Sequence, residues 1–394
     1  MEFVFTPEEE AFRQTVRRFL AEELPPGWEE QFAGSEEPGP ANDALWEFSR
    51  QFTRKLAQRR WLAMAWPEQF GGLGASYMQQ TIYNEEIAYR DAPVAGYMGV
   101  AWVGPAIMLY GTEEQQRRFL PGITSGEDIW CTLYSEPGAG SDLASLQTRA
   151  VRDGDDWVIN GQKIWTSGAH RSNWGWLAAR TDPDAPKHKG ISTFVVPMNA
   201  PGISIRPLIN MAGHHGFNEV FFDNVRIPDA YRVGEVNRGW YHVAVALDFE
   251  RSGIAAYANG RRTLEKLVAF CREEPALTRR HPDVRLRLAD RWIELAVGYN
   301  IAYRIPWMQS QGKVPNYEAS MSKLYGSELT QRIAATGIQL LGAYGALKPG
   351  SPWAKLRGQL ADGYLTAVSA TIAAGTSEIQ RNIIATRGLG LPRG

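Results

Sequence analysis

The spacing of apolar positions changes twice along the chain. Phe12, Val16, Phe19 and Leu20 recur at helical intervals behind Thr6-Pro7-Glu8-Glu9. There Thr6 can cap, Pro7 suits the first helical position and Glu9 completes a capping box. Pro25, Pro26 and Gly27 end that helix, and a polar stretch runs on to Pro40. Helical patterns return over 43–60, 77–90 and 94–110, with a glycine-rich loop between Trp66 and Gly74. Gly111-Thr112-Glu113-Glu114-Gln115 predicts another capped start, leading to Phe119 and Leu120. Near Asp128 the texture changes. V-R-D-G-D-D-W-V-I-N-G, W-G-W-L-A-A-R, G-I-S-T-F-V-V-P and E-V-F-F-D-N-V-R-I-P are short, β-branched and aromatic runs separated by turn residues. From Asn237 the spacing is helical again, over about 237–272, 281–311 and 315–341. The pattern predicts a helical domain (1–127), a β domain (128–233) and a second helical domain (234–394).

Composition narrows the class. A chain of 394 residues with 44% hydrophobic and 22% charged positions has ample material for a core. Its formal net charge of -1 supplies no basic field for nucleic acid or an anionic membrane surface. Cys131 and Cys271 are too few for a disulfide framework and have no metal-ligand spacing, so a reducing, cytoplasmic setting is expected. The start, M-E-F-V-F-T-P-E-E-E, lacks a signal-peptide core, and no apolar run reaches spanning length, so membrane insertion is not expected.

Two stretches carry candidate chemistry. Trp130 to Asp142 reads W-C-T-L-Y-S-E-P-G-A-G-S-D, and Lys163 to Gly168 reads K-I-W-T-S-G. Gly138 and Gly140 let a backbone approach a ligand closely, with Ser141 beside them. Trp165, Thr166 and Ser167 add an aromatic ring and two hydroxyls. Gly-Ala-Gly is not the fingerprint of a dinucleotide-binding strand–turn–helix. On the residues alone, a structural turn and a ligand loop both stay open.

Six blocks together resemble the acyl-CoA dehydrogenase family: W-P-E-Q-F-G-G-L-G, Y-G-T-E-E-Q-Q-R-R-F-L-P, S-E-P-G-A-G-S-D, I-N-G-Q-K-I-W-T-S-G, F-F-D-N-V-R-I-P and G-T-S-E-I-Q-R-N-I-I-A. They occur in the family's order over nearly the whole chain. The resemblance implies a mainly α fold with a central β-barrel, between an N-terminal helical domain and a C-terminal four-helix bundle. It implies FAD, with Thr132, Tyr134 and Ser135 at the flavin ring and Gly140 and Ser141 near the pyrophosphate. Trp165 and Ser167 match positions beside the ring, and Thr376 and Glu378 match cofactor positions of the C-terminal motif. Ser141, Asp248 and Arg251 match positions near the substrate.

Desaturating an acyl thioester needs a base for the α-proton while the flavin takes a hydride from the β-carbon. Many members place a glutamate just before the Gly-Thr of the C-terminal motif; this chain has Ala374 there. The family's second base location matches Glu250, directly before Arg251. Val243, Leu247, Glu250, Ile254 and Tyr257 step by helical intervals, which predicts one shared helix face. The bland alternative is a solvated or salt-bridged helix residue.

Other positions depart from the family. Its R-x-x-F-G segment, whose arginine reaches a neighbouring subunit's FAD, corresponds to Arg272 followed by Glu-Glu-Pro, without Phe-Gly. Gln339 and Gly342 do match the family's Q-x-L-G-G-x-G, which also meets a neighbour's FAD. The resemblance extends to bacterial enzymes for bulky, steroid-like acyl-CoA esters, some of them two-chain heterotetramers. The implied partners are an acyl-CoA, an electron-transfer flavoprotein as acceptor, and either a homotetramer or a heterotetramer with a related subunit. A flavin oxidase or monooxygenase on the same fold, or a non-catalytic binding member, are the alternatives. Adjacent His214 and His215 lack metal-helix spacing, so no metal site is expected, and Lys187-His188-Lys189 reads as a solvated tip.

Overall fold

Helix α1 (Pro7–Glu23) begins where its capping box predicts: Glu9 N donates to Thr6 Oγ1, and Thr6 N donates to Glu9 at 2.8 Å. In the computed structural model, which describes residues 4–28, 40–246, 252–276 and 282–392, the chain divides into two compact units. One comprises Met1–Ser35, Ala75–Ala92 and Arg251–Gly394; the other comprises Glu36–Gly74 and Pro93–Glu250.

The second unit holds α2 (Pro40–Gln58), α4 (Gly104–Tyr110) behind a single π turn, α5 (Glu113–Thr124), the sheet and α6 (Gly239–Ala246). Its strands are β1 (Trp130–Leu133), β2 (Arg149–Asp153), β3 (Asp156–Lys163), β4 (Trp174–Arg180), β5 (Ile191–Pro197), β6 (Ile203–Leu208), β7 (Phe217–Pro228) and β8 (Arg232–Val233). Among the described residues the order is β6-β7-β3-β2-β4-β5-β8, with β1 parallel to β4. The expected barrel is therefore not closed; the sheet is open. Its terminal strands explain this. β8 has two residues, and β6 contains Pro207, which has no amide to offer a further ladder. Strands β2 and β4 meet at one register pair, Arg149 with Arg180. Two ladders thus join at a thin seam, and one apolar cluster draws on both: Ile159, Val220 and Val225 from one, Leu177, Phe194 and Val196 from the other.

The first unit packs α1 and α3 (Tyr77–Tyr89) with α7 (Ile254–Glu273), α8 (Val284–Ser310), α9 (Tyr317–Leu341), α10 (Gln359–Ala370) and α11 (Ser377–Ile383). Ile254, Leu264, Leu267, Leu295, Leu329, Ile333 and Leu340 form its core. Tyr257 lies at the centre, and its hydroxyl donates to Ser322 O at 2.8 Å. Buried Arg13 donates to Glu85 at 2.7 Å and to Glu86 at 2.6 Å, tying α1 to α3. The continuous helix face expected from Val243 to Tyr257 does not survive. Ser252 and Gly253 are not helical, and Gly253 starts α7 in the left-handed region with φ 66°. The spacing argument for Glu250 therefore does not cross this break.

Candidate functional site

The two chemistry-bearing stretches lie side by side. β1 supplies Thr132, and the chain then runs through Tyr134 and Ser135 into a tight turn closed by reciprocal bonds between Glu136 and Ala139. Pro137 presets that turn. Gly138 and Gly140 have no positive φ, and a Cβ on either would touch nothing in the chain. Neither packing nor backbone geometry demands glycine there. Gly140 and Ser141 are exposed.

Lys163 joins the second stretch to the first. Its side chain is buried at the end of β3, where Nζ donates to Tyr134 O at 2.9 Å and to Glu136 Oε1 at 2.8 Å. Glu136 also accepts from the amides of Gln147 (2.6 Å) and Thr148 (2.8 Å), and Ile164 N donates to Ser135 O at 2.9 Å. Burial pushes the Lys163 ammonium down to about 8, with Glu136 working against the shift. Burial also pushes the Glu136 carboxyl up, but Lys163 and the contacts with Thr148 and Gln147 outweigh it, so the group stays below the usual carboxylate range. This pair was legible in principle. On β3, Trp157 and Ile159 point into the core at strand spacing, and Lys163 puts a charge on the same apolar alternation.

Beyond Lys163 the chain turns sharply. Trp165 is 55% exposed with φ 60°, an outlier for a bulky aromatic residue. The next residue, Thr166, is 1% exposed, and its hydroxyl has no hydrogen-bond partner among the described residues. Ser167 is half-buried. Lys187, in the exposed tip expected at 187–189, bonds Asp142 at 2.8 Å and holds its carboxyl below the usual range.

In the helical unit, Thr376 caps α11 by accepting from Ile379 N at 3.2 Å, and exposed Glu378 follows in the first turn. Its own amide and Thr376 keep the Glu378 carboxyl low. Both residues line a cavity of about 770 Å³ with Gln331, Arg332, Tyr364 and Arg381. Ser377, beside them, has a buried hydroxyl without a partner among the described residues. Ala374 is left-handed with φ 54°, and the loop around it is pinned: Lys323 donates to Gly375 O at 2.6 Å, and Gln380 donates to Ala374 O at 3.2 Å.

Gln339 and Gly342 end α9 and do not line that cavity. Gln339 accepts from Arg287 at 2.9 Å, and Gly342 adopts φ 56°, ψ −133°, a combination open only to glycine. Arg272 is exposed in the last turn of α7. Asp248, Glu250 and Arg251 lie outside the described residues. The structure thus gathers Thr132, Tyr134, Ser135, Gly140, Ser141, Trp165 and Ser167 on two joined stretches of one unit, and Thr376 with Glu378 on a cavity wall of the other. Sequence reasoning missed Glu136 and Lys163 as the joint, and Asn218 beneath Thr166. Among the described residues no group of histidine, cysteine and carboxylate side chains could hold a metal ion.

A bound FAD fits these features. Among the described residues, the buried hydroxyl of Thr166 in the sheet unit lacks a partner, as does that of Ser377 in the helical unit, and each is a group that a polar ligand would complete.

Models for the acyl-CoA dehydrogenase N-terminal, middle and C-terminal domains match residues 6–127, 131–225 and 237–389. The chain is 38% identical over 390 residues to the acyl-CoA dehydrogenase IpdE1 of Mycobacterium tuberculosis, covering 98% of each chain. It is similar to a solved structure of the Tcur3481-Tcur3483 steroid ACAD, at 36% identity and TM-score 0.90 over 100% of both chains. The ChsE4-ChsE5 complex from Mycobacterium tuberculosis gives 36% identity and TM-score 0.89, again over 100% of both chains.

Proposed function

The chain belongs to the acyl-CoA dehydrogenase family, and from that membership we propose that it is an FAD-dependent enzyme converting an acyl-CoA thioester to the trans-2-enoyl-CoA. When bound, FAD would supply the acceptor for the β-hydride. Thr132, Tyr134, Ser135, Trp165 and Ser167 hold and orient the ring, Gly140 and Ser141 meet the pyrophosphate, and Thr376 and Glu378 stand at the family's cofactor positions in the C-terminal motif. Glu250, at the family's second base position, removes the α-proton, since Ala374 at the first has no group that could accept one. Asp248, Arg251 and Ser141 face the substrate. The observation that carries the reading is the joint at Lys163. It holds the two loops edge to edge, so that groups far apart in sequence are offered together. Purified protein should be yellow, and its flavin should bleach when a suitable acyl-CoA is added without oxygen. A colourless protein that takes up no FAD on reconstitution would sink the reading.

A heteromeric enzyme for a bulky, steroid-like acyl-CoA is the finer version. Two similar solved structures are a steroid ACAD and the ChsE4-ChsE5 complex. The segment after Arg272 lacks the Phe-Gly with which the family completes a neighbour's FAD site. On this reading the chain contributes Glu250 and most of one flavin site, and a related subunit contributes the rest. An electron-transfer flavoprotein is the proposed acceptor. Flavin content of the chain expressed alone decides: about half a flavin or less per chain supports the heteromer, and one per chain supports a homotetramer.

A further inference from the structure

Asn218 is the second residue of β7, fully buried, and lies directly under the Trp165–Gly168 turn. Its backbone carbonyl accepts from Thr166 N at 3.0 Å, and Gly216 O accepts from Gly168 N at 3.0 Å. Its side chain has three partners. Thr166 O, 3.1 Å away, can only accept, so the amide nitrogen must face it. The same nitrogen lies 3.1 Å from His170 Nδ1, which therefore accepts and carries its proton on Nε2. The amide oxygen lies 2.9 Å from His215 Nε2, which must then donate. Each group in the network has one assigned role. The two imidazoles stack with centroids 4.0 Å apart and 18° between their planes.

The turn needs such a holder. Trp165 and Gly168 are both left-handed, with φ 60° and φ 65°, and the tryptophan has no steric ease there. Its ring rests edge-on against Phe217, the residue before Asn218, with centroids 5.9 Å apart. Only a short carboxamide offers two donors and one acceptor in one plane from this depth. Aspartate lacks the donors and leucine lacks both. The charges around the network agree with its polarity. Burial, then His215, then Arg171 push His170 down to about 4, with the contact to Asn218 and then Asp43 opposing, so it is neutral and accepting at ordinary pH.

We propose that Asn218, supported by His170 and His215, is a positioning residue that clamps the Trp165–Gly168 turn and so sets how Trp165 and Ser167 meet the flavin ring. The role rests on the reading of that turn given above.

The test pairs Asn218→Leu with Asn218→Asp. Asn218→Leu should fold and retain FAD. Its kcat should fall about tenfold to a hundredfold with KM changed far less, since the loss is in placement. Its flavin absorption band and reduction potential should shift as well, which a purely structural role would not produce. In apo Asn218→Asp, histidine NMR should show His170 titrating at higher pH than in the parent, because a carboxylate replaces the amide donor. An Asn218→Leu protein with parental kcat, spectrum and potential overturns the proposal. So does an unmoved His170 midpoint in Asn218→Asp, which decides the matter if the leucine variant does not fold. Failure of the functional reading has a separate signature: parental protein without flavin or bleaching, while the apo His170 shift is still present.

Discussion

Lys163 Nζ and Glu136 Oε1 stand 2.8 Å apart with both side chains buried, and this contact, with the bonds from Lys163 to Tyr134 O and from Ile164 N to Ser135 O, fastens the Lys163–Gly168 stretch to the Trp130–Asp142 loop. Breaking one side strands the other. Lys163→Met leaves a buried carboxylate held by the amides of Gln147 and Thr148, and should cost about 3–5 kcal/mol in chemical denaturation of the apo protein. Adding Glu136→Gln should recover part of that, with a coupling of about 1–3 kcal/mol. Strict additivity of the two changes would contradict the pairing.

His242, on α6, should give the fold an acid-sensitive term. Its ring packs against Tyr110 with centroids 4.2 Å apart and a tilt of 32°, and Nδ1 lies 2.9 Å from Thr193 Oγ1. Burial first, then Arg238, push the imidazole from its ordinary 6.5 down to about 4. The depressed group favours the neutral form in the fold, so the unfolded chain takes up the proton first as pH falls. Stability is whole above the unfolded value and declines between about 6.5 and 4, by up to about 3 kcal/mol. Denaturation curves across that window should be flatter for His242→Asn than for the parent; equal slopes would rule the term out.

Glu250→Gln is expected to keep FAD bound and lower the rate of flavin bleaching by about 10²–10⁴-fold, the contribution of a positioned base. Anaerobic stopped-flow with an acyl-CoA measures it. Bleaching at the parental rate would place the base elsewhere.

Gly298 is predicted to resist any side chain. A Cβ there would lie 2.1 Å from Tyr257 Cε1, and the ring is fixed by its bond to Ser322 O. Gly298→Ala should destabilise the helical unit by about 1–3 kcal/mol through overpacking. Thermal unfolding followed by circular dichroism should show the loss, and an unchanged midpoint would mean that α8 can shift to make room.

Local signals were legible where a few neighbouring residues decide the outcome. Thr6 with Glu9 and Thr112 with Gln115 form the reciprocal caps their spacing implies, because both partners lie within one helical turn. The strand runs between Trp130 and Val233 form strands because their β-branched and aromatic residues suit a half-buried pleat. The break at Ser252 and Gly253 was hidden, since apolar spacing continues across a glycine whose φ only the surrounding fold selects. Sheet closure was hidden too. It depends on which edges meet, and the seam at Arg149 and Arg180 joins residues more than thirty positions apart in sequence.

Element order, family and the residue types available for a flavin and an α-proton are written in the sequence, because motifs and periodicity are local and survive without a fold. That Lys163 reaches Glu136, that Asn218 lies under Thr166 and that the sheet stays open emerges only once the chain is packed. The reason is physical: a buried charge or amide is tolerated only where its partners converge, and that convergence is a property of the packed chain.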